Sequence, residues 1–245
     1  AMFSDDELNI PSNFSLLMTE IIRMQETLGV DWRFRCFLKS NLLTEPQASL
    51  LYSAGFRNVL VGFESGSDRI LTNIQKKATK DQNTKCLEIC SKHGLRVKAL
   101  ISLWHAGESE GTIRATEDWL LETRPDDFDA TLLTIYPATG YSDFSRPHAS
   151  IPGAWTYEAK GGDRLYFYET DFLRDSSYYK GIPFEYSSKI WTDYLSCEDL
   201  VQMRDSLEEN VRHRLGIPFY PVSSKRFESS MGMTPAYVMR SSNFA

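Results

Sequence analysis

The chain has 245 residues, 42% of them hydrophobic and 13% aromatic, enough apolar material for a globular core with a substantial appendage. A formal charge of -6, with lysines and arginines scattered, gives no electrostatic case for a nucleic-acid or anionic-membrane partner. No apolar run approaches the roughly 20 residues that cross a bilayer, and the start at Ala1-Met2-Phe3-Ser4-Asp5-Asp6 lacks the basic and apolar regions of a signal peptide, so the default expectation is cytoplasmic.

From Met2 to about Tyr141, short apolar strands alternate with amphipathic stretches, the pattern of parallel strands joined by crossover helices. A helix is predicted from near Ser12, with Phe14, Leu17, Ile21, Met24 and Leu28 as its apolar face and Gly29 as its stop. Arg33 to Leu38 reads as a strand. Thr44-Glu45-Pro46-Gln47 is a capping-box signal with proline in the first turn, opening a helix that closes at Gly55. Asn58 to Phe63 is the next strand. Thr79-Lys80-Asp81-Gln82 repeats the capping signal for a helix through Cys86, Leu87 and Cys90, ending at His93-Gly94. Leu95 to Leu103 is then a strand, Ser109 caps a helix containing Ile113, Trp119 and Leu120, and Phe128 to Tyr136 is the last clear strand before Pro137 and Gly140.

Beyond Tyr141 the alternation fails. The predicted division is therefore 1–141, an α/β unit, and 142–245, an aromatic-rich irregular extension. That extension holds one helix from Ser196, carrying Leu200, Met203, Leu207 and Val211 and stopped by Gly216, and an irregular tail from Pro221. The cysteines Cys36, Cys86, Cys90 and Cys197 form no CxxC pair and are expected to be buried thiols.

In parallel α/β folds, chemistry gathers at the carboxyl ends of strands, where loops vary without disturbing the core. Asp5 and Asp6 follow the apolar start, Lys39 follows Phe37-Leu38, Glu64 and Ser65 follow Val61-Gly62-Phe63, His105 and Glu108 follow Ile101-Ser102-Leu103, and Tyr136 ends the last strand. Glu64, His105, Asp5, Asp6 and Glu108 are the candidate acids, bases or charge stabilisers. Arg33 and Arg35 share one strand face, suited either to a carboxylate or phosphate ligand or to structural salt bridges. Asp5-Asp6 is also compatible with a helix start, and His105 with a structural hydrogen bond.

The run Val59-Leu60-Val61-Gly62-Phe63-Glu64-Ser65-Gly66-Ser67-Asp68-Arg69-Ile70-Leu71, followed by Lys76 and Thr79, resembles the fourth-strand region of radical S-adenosylmethionine (SAM) enzymes. The resemblance extends to Phe3-Ser4-Asp5-Asp6-Glu7-Leu8, His93-Gly94-Leu95-Arg96-Val97-Lys98, Gly107-Glu108-Ser109 and Ile135-Tyr136-Pro137. It is strongest with the subgroup that carries an N-terminal cobalamin-binding domain. It covers Phe3 to Gly140, and Tyr179-Lys180-Gly181, Thr192-Asp193 and Leu195-Ser196 are also similar to that subgroup. The resemblance implies a partial (β/α) barrel entered at its second strand. It places Asp5 and Asp6 near the methionine moiety of SAM, Glu64, Ser65 and Lys76 near its ribose or carboxylate, and Ser102 to Glu108 near the adenosine. Arg33, Arg35, Trp104 and Tyr136 are then the expected substrate-facing residues.

Two departures stand beside the match. The family's CxxxCxxC loop has no counterpart in these residues; Cys86, Cys90 and His93 share its spacing but fall on a predicted helix, where the two thiols are core neighbours. Trp104 and Ala106 also replace small Gly and Pro of the family's fifth-strand motif. The expectation is no iron–sulfur cluster, cobalamin or other metal in this chain, with SAM possible. Three readings stand open: a barrel repurposed for non-radical chemistry on a small biosynthetic molecule, which the altered motif favours; a portion of a cobalamin-dependent radical SAM enzyme that still binds SAM; and a non-catalytic partner of a full-length homologue. An uncovered strand edge further predicts a homodimer or a docked radical SAM partner.

Overall fold

The computed structural model describes residues 1–3, 7–10, 12–172 and 188–218. The first elements are α1 (Phe14–Leu28), β1 (Phe34–Leu38), a 3-10 turn (Ser40–Leu42), α2 (Glu45–Ser53), β2 (Phe56–Glu64), α3 (Asp68–Asn73) and α4 (Lys80–Lys92). Then come β3 (Arg96–Leu103), α5 (Glu110–Thr123) and β4 (Asp127–Leu132). The remainder is α6 (Gly140–Asp143), β5 (Arg146–Pro147), β6 (Ala154–Glu158), β7 (Arg164–Tyr168), β8 (Ile190–Thr192) and α7 (Cys197–Leu215).

β1 to β4 form a parallel sheet in chain order, so the protein is mixed α/β with crossover helices. Residues at the amino terminus extend the sheet beyond β1: Met2 bridges Arg35 in parallel, and Phe3 packs edge-on against Phe34. One sheet face is wholly apolar, with Cys36, Val59, Val61, Phe63, Val97, Ala99, Ile101, Phe128 and Ala130 buried under the helices. The opposite face carries Arg35 beside Asn58, Lys98 beside Asp127, and Ser102 beside Thr131 in register.

Local chemistry sets the helix ends as the sequence predicts. Thr44 with Gln47 and Thr79 with Gln82 form reciprocal capping boxes, and Ser109 and Ser196 accept from the amides three residues on. Gly29 and Gly216 end α1 and α7 in the left-handed conformation. On α1 the buried stripe is Phe14, Met18 and Ile21; Met24 and Leu28, expected on that face, are 43% and 59% exposed. The α1 surface packs mainly along α2, so its last turn projects past the core. The short helix α3 was not anticipated.

The main correction concerns the aromatic segment expected to be irregular. Its described part is an antiparallel sheet, β5-β6-β7-β8. Ala154 and Thr156 share one face with Tyr166 and Tyr168, and Trp155 and Tyr157 share the other with Leu165 and Phe167. Ala154, Thr156, Leu165 and Phe167 are buried while Trp155, Tyr157 and Tyr166 are half-covered, so both faces are partly packed. Apolar rings on both faces hid the period-2 alternation that normally marks a strand. Tyr178, Tyr179, Phe184 and Tyr186 of that segment, and the tail from Pro221, lie outside the described residues.

α7 packs on α5 and lies along the free edge of β4. Arg204 Nε donates to the Ala130 carbonyl at 2.9 Å and Arg212 Nη2 to the Phe128 carbonyl at 2.6 Å. Side chains thus satisfy edge acceptors that a further strand would otherwise pair.

Candidate functional site

The site begins where β2 ends. The pairing register slips between Gly62 and Glu64, and Glu64 adopts φ 66°. This bulge folds the Glu64 carboxylate back over Gly62, where it pairs with Lys76 at 2.8 Å. A β-carbon on Gly62 would stand 2.6 Å from Glu64 Oε1 and 3.2 Å from Lys76 Nζ. The absence of a side chain there is what admits the pair.

The following turn serves packing. The Ser65 and Thr116 hydroxyls are 3.0 Å apart, and Ser65 Oγ accepts from the Ser67 amide at 3.1 Å. Gly66 lies so close to α5 that a β-carbon would be 2.7 Å from the Ala115 carbonyl oxygen. The hydroxyl that resemblance places near a ligand is therefore committed to joining β2 to α5.

At the end of β3, Trp104 takes φ 78°, a left-handed conformation that is strained for a bulky residue. Glu108 holds that turn: its carboxylate accepts from the Trp104 amide at 3.1 Å and from the Thr112 hydroxyl at 2.7 Å. Glu108 is fully buried, and burial raises its pKa to about 7 against the lowering effect of these bonds. Its carboxylate positions the loop.

His105 is 5% exposed. Burial first, then the nearby Lys76 charge, lowers its pKa to about 4, so the ring is neutral at physiological pH. Its Nδ1 lies 2.8 Å from the Tyr141 hydroxyl. Tyr141 is held protonated chiefly by burial, with Tyr157, Glu108 and Glu64 adding to the effect. Glu64, Lys76, His105 and Tyr141 therefore sense one another at the carboxyl end of β2 and β3.

The antiparallel sheet walls this region. Asp163, in the turn between β6 and β7, accepts from Arg69 Nε at 2.9 Å and Asn73 Nδ2 at 2.7 Å, while Asn73 Nδ2 also donates to the Ala106 carbonyl at 2.8 Å. Thr192 in β8 donates to the Glu108 carbonyl at 2.8 Å, and the Tyr141 and Tyr157 rings lie 4.6 Å apart. Trp104 and His105 are interred beneath the segment that the sequence left without structure.

The other predicted residues are dispersed. Ser102 is half-buried on the polar sheet face, and Arg35 shares a face with Asn58 farther from this end. Arg33 precedes β1 at the opposite end of the sheet and pairs with Asp31, which separates it from the site. Tyr136 is on the rim, 45% exposed and stacked on Phe172 at 4.9 Å. Asp5 and Asp6 lie outside the described residues. Sequence reasoning missed Tyr141, Arg69, Asn73 and Asp163, whose roles depend on the second sheet and carry no local signature.

Cys86 and Cys90 are buried neighbours on α4, and His93 instead bonds Glu45 at 2.5 Å. Among the described residues, no cluster of three or more His, Cys, Asp or Glu is arranged to hold a metal. These cysteines do not fit an iron–sulfur cluster.

No protein-family model matches the chain. The sequence is 26% identical over 141 residues to bacteriochlorophyllide d C-12(1)-methyltransferase of Chlorobaculum tepidum, covering 57% of this chain and 30% of that protein. The radical S-adenosylmethionine methyltransferase TsrM of Kitasatospora setae, with cobalamin and a [4Fe-4S] cluster bound, superposes with TM-score 0.56 and 20% identity over 66% of this chain and 33% of that one. The fold is radical SAM-like. TsrM with tryptophan substrate and the SAM analogue aza-SAM matches equally, at TM-score 0.56 and 21% identity. This radical SAM-like chain spans about a third of the length of either protein. No helix among its described residues is long and apolar enough to cross a membrane.

Proposed function

We propose that the parallel sheet is a partial (β/α) barrel whose mouth binds a small polar biosynthetic molecule and performs proton-transfer chemistry on it. The observation that carries this reading is the joining of the Glu64–Lys76 pair and the neutral His105–Tyr141 pair at one strand end, under a wall built by the second sheet. Glu64 is the candidate proton acceptor, Lys76 stabilises negative charge, and His105 serves as a neutral hydrogen-bonding group. Trp104, interred where the family resemblance has a small residue, and Ser65, spent on Thr116, support a mouth rebuilt away from SAM.

The test is a ligand screen by thermal shift and calorimetry on the chain and on Glu64→Gln. A ligand whose affinity falls at least about tenfold in the variant, with the melting temperature preserved, supports the reading. Equal affinity in both overturns it.

A second reading is favoured by the methyltransferase relative: this chain is the SAM-binding portion of a cobalamin-dependent methyltransferase-like enzyme. Saturable binding of SAM in calorimetry, lost on Lys76→Met, decides for it. In either case the edge beside Ala1–Phe3 is the proposed place for a second copy or a radical SAM partner, checked by sedimentation.

A further inference from the structure

Two polar side-chain atoms at the end of β3 are buried without a hydrogen-bond partner among the described residues: Trp104 Nε1 and His105 Nε2. Both residues are nearly inaccessible, 1% and 5% exposed. A buried donor left unsatisfied opposes folding unless something supplies its acceptor. Two in consecutive residues, the first of them, Trp104, itself at φ 78°, are an accumulation of cost typical of ligand-facing loops.

Proton accounting assigns the histidine tautomer. The ring is neutral, and its Nδ1 contacts the Tyr141 hydroxyl. If Nδ1–H donated to Tyr141, the phenol proton would have no acceptor among the described residues and Nε2 would be an empty acceptor. If Tyr141 donates to Nδ1, both members of that bond are satisfied and Nε2 carries the proton. Trp104 Nε1 is a donor by constitution. Two N–H groups on adjacent residues then have nothing to donate to, and the Lys76 charge that depresses His105 lies close by.

We propose that Trp104 Nε1–H and His105 Nε2–H form a donor subsite for an acceptor oxygen of the ligand, a carboxylate or a ketone carbonyl, with Lys76 as the balancing positive charge and Tyr141 as the positioning residue. The subsite rests on the reading of the mouth given above and narrows its substrate class to 2-oxo or simple carboxylic acids. A cationic ligand group finds no acceptor in Trp104 Nε1–H or His105 Nε2–H, because both are donors. Tyr141 acts only through His105: without its hydroxyl, Nδ1 loses its donor, and the two neutral tautomers become competitive.

The experiment is nitrogen-15 NMR on the full chain at neutral pH, with the Trp104 indole signal assigned through Trp104→Phe and the His105 ring through His105→Asn. Pyruvate and acetate are titrated as probes, with methylamine as the control. The expected result is a neutral Nε2-protonated His105 and a saturable shift of both N–H signals with pyruvate or acetate but not with methylamine. Tyr141→Phe should weaken the response about tenfold and mix the tautomers while the chain stays folded. An Nδ1-protonated ring, an equal response to methylamine, or a water contact at both N–H groups that carboxylates fail to displace overturns the proposal. The wider reading fails separately: Glu64→Gln leaving affinity and turnover untouched removes the mouth chemistry, whereas silent Trp104 and His105 signals remove only the subsite.

Discussion

The Arg212 guanidinium donates to the Phe128 carbonyl oxygen at 2.6 Å while stacking over the Phe128 ring at 4.7 Å. Arg204, about two helical turns earlier, donates to the Ala130 carbonyl at 2.9 Å, and Glu208 lies between the two arginines and pairs with both. α7 thereby ends the parallel sheet with charged side chains in place of a strand. Arg212→Met leaves Glu208 and the Phe128 carbonyl short of a partner in a buried setting, and is expected to cost about 3 kcal/mol or more. Urea denaturation measures the loss, and size-exclusion chromatography tests whether the exposed β4 edge now recruits a second chain.

Gly107, at φ 85°, has no room for a side chain: a β-carbon would fall 2.5 Å from Asp163 Oδ2 and 2.8 Å from Asn73 Nδ2. Gly107→Ala is therefore expected to push the β6–β7 turn off the β3 loop at a cost of roughly 1–3 kcal/mol. Hydrogen exchange in Ala154–Tyr168 should accelerate. Asp163→Ala should accelerate exchange in the same strands without straining the Gly107 backbone.

The pH dependence of stability contains two opposing contributions. Glu108 rises from 4.5 to about 7 in the folded chain, so its contribution is complete below pH 4.5 and disappears as pH climbs through 7. His105 drops from 6.5 to about 4, so its contribution is complete above pH 6.5 and disappears as pH falls through 4. Each is worth on the order of 3 kcal/mol, and together they flatten the profile. Glu108→Gln should expose stability that increases with pH between 4 and 6.5, and His105→Asn stability that decreases between 4.5 and 7. Denaturation midpoints across this range check both slopes.

Gly62→Ala is expected to separate binding from stability. Its β-carbon meets the mobile end of Glu64 and the tip of Lys76, both of which can swing toward solvent, so the melting temperature should change little. The Glu64–Lys76 pair is partly exposed and worth at most about 1 kcal/mol. Ligand affinity should nevertheless fall as in Glu64→Gln, because the carboxylate is displaced; unchanged affinity would take the pair out of the site.

The α/β alternation, the capping boxes at Thr44 and Thr79 and the stops at Gly29 and Gly216 were legible because each rests on residues within a few positions of one another. The placement of Glu64 and His105 at the ends of β2 and β3 was legible from the strand pattern, and Lys76 was singled out through the family resemblance. The same logic misplaced Arg33, since residue type does not say which end of a strand a side chain occupies. The spacing of Arg204, Glu208 and Arg212 on one helical face was available in the sequence as a sign of a buried charged stripe, although nothing local names the carbonyls it covers.

The sequence by itself determined the parallel layers and the acidic and basic groups at their ends, because period, caps and breakers act over one or two turns of chain. Only the tertiary structure decided that a second sheet would close over them, since Tyr141 reaches His105 across 36 positions and Asp163 reaches Arg69 across 94. Hydrogen-bond satisfaction and burial are properties of the assembled chain, and they make His105, a candidate acid, base or charge stabiliser in the sequence, a buried neutral ring with Nε2 unpaired among the described residues.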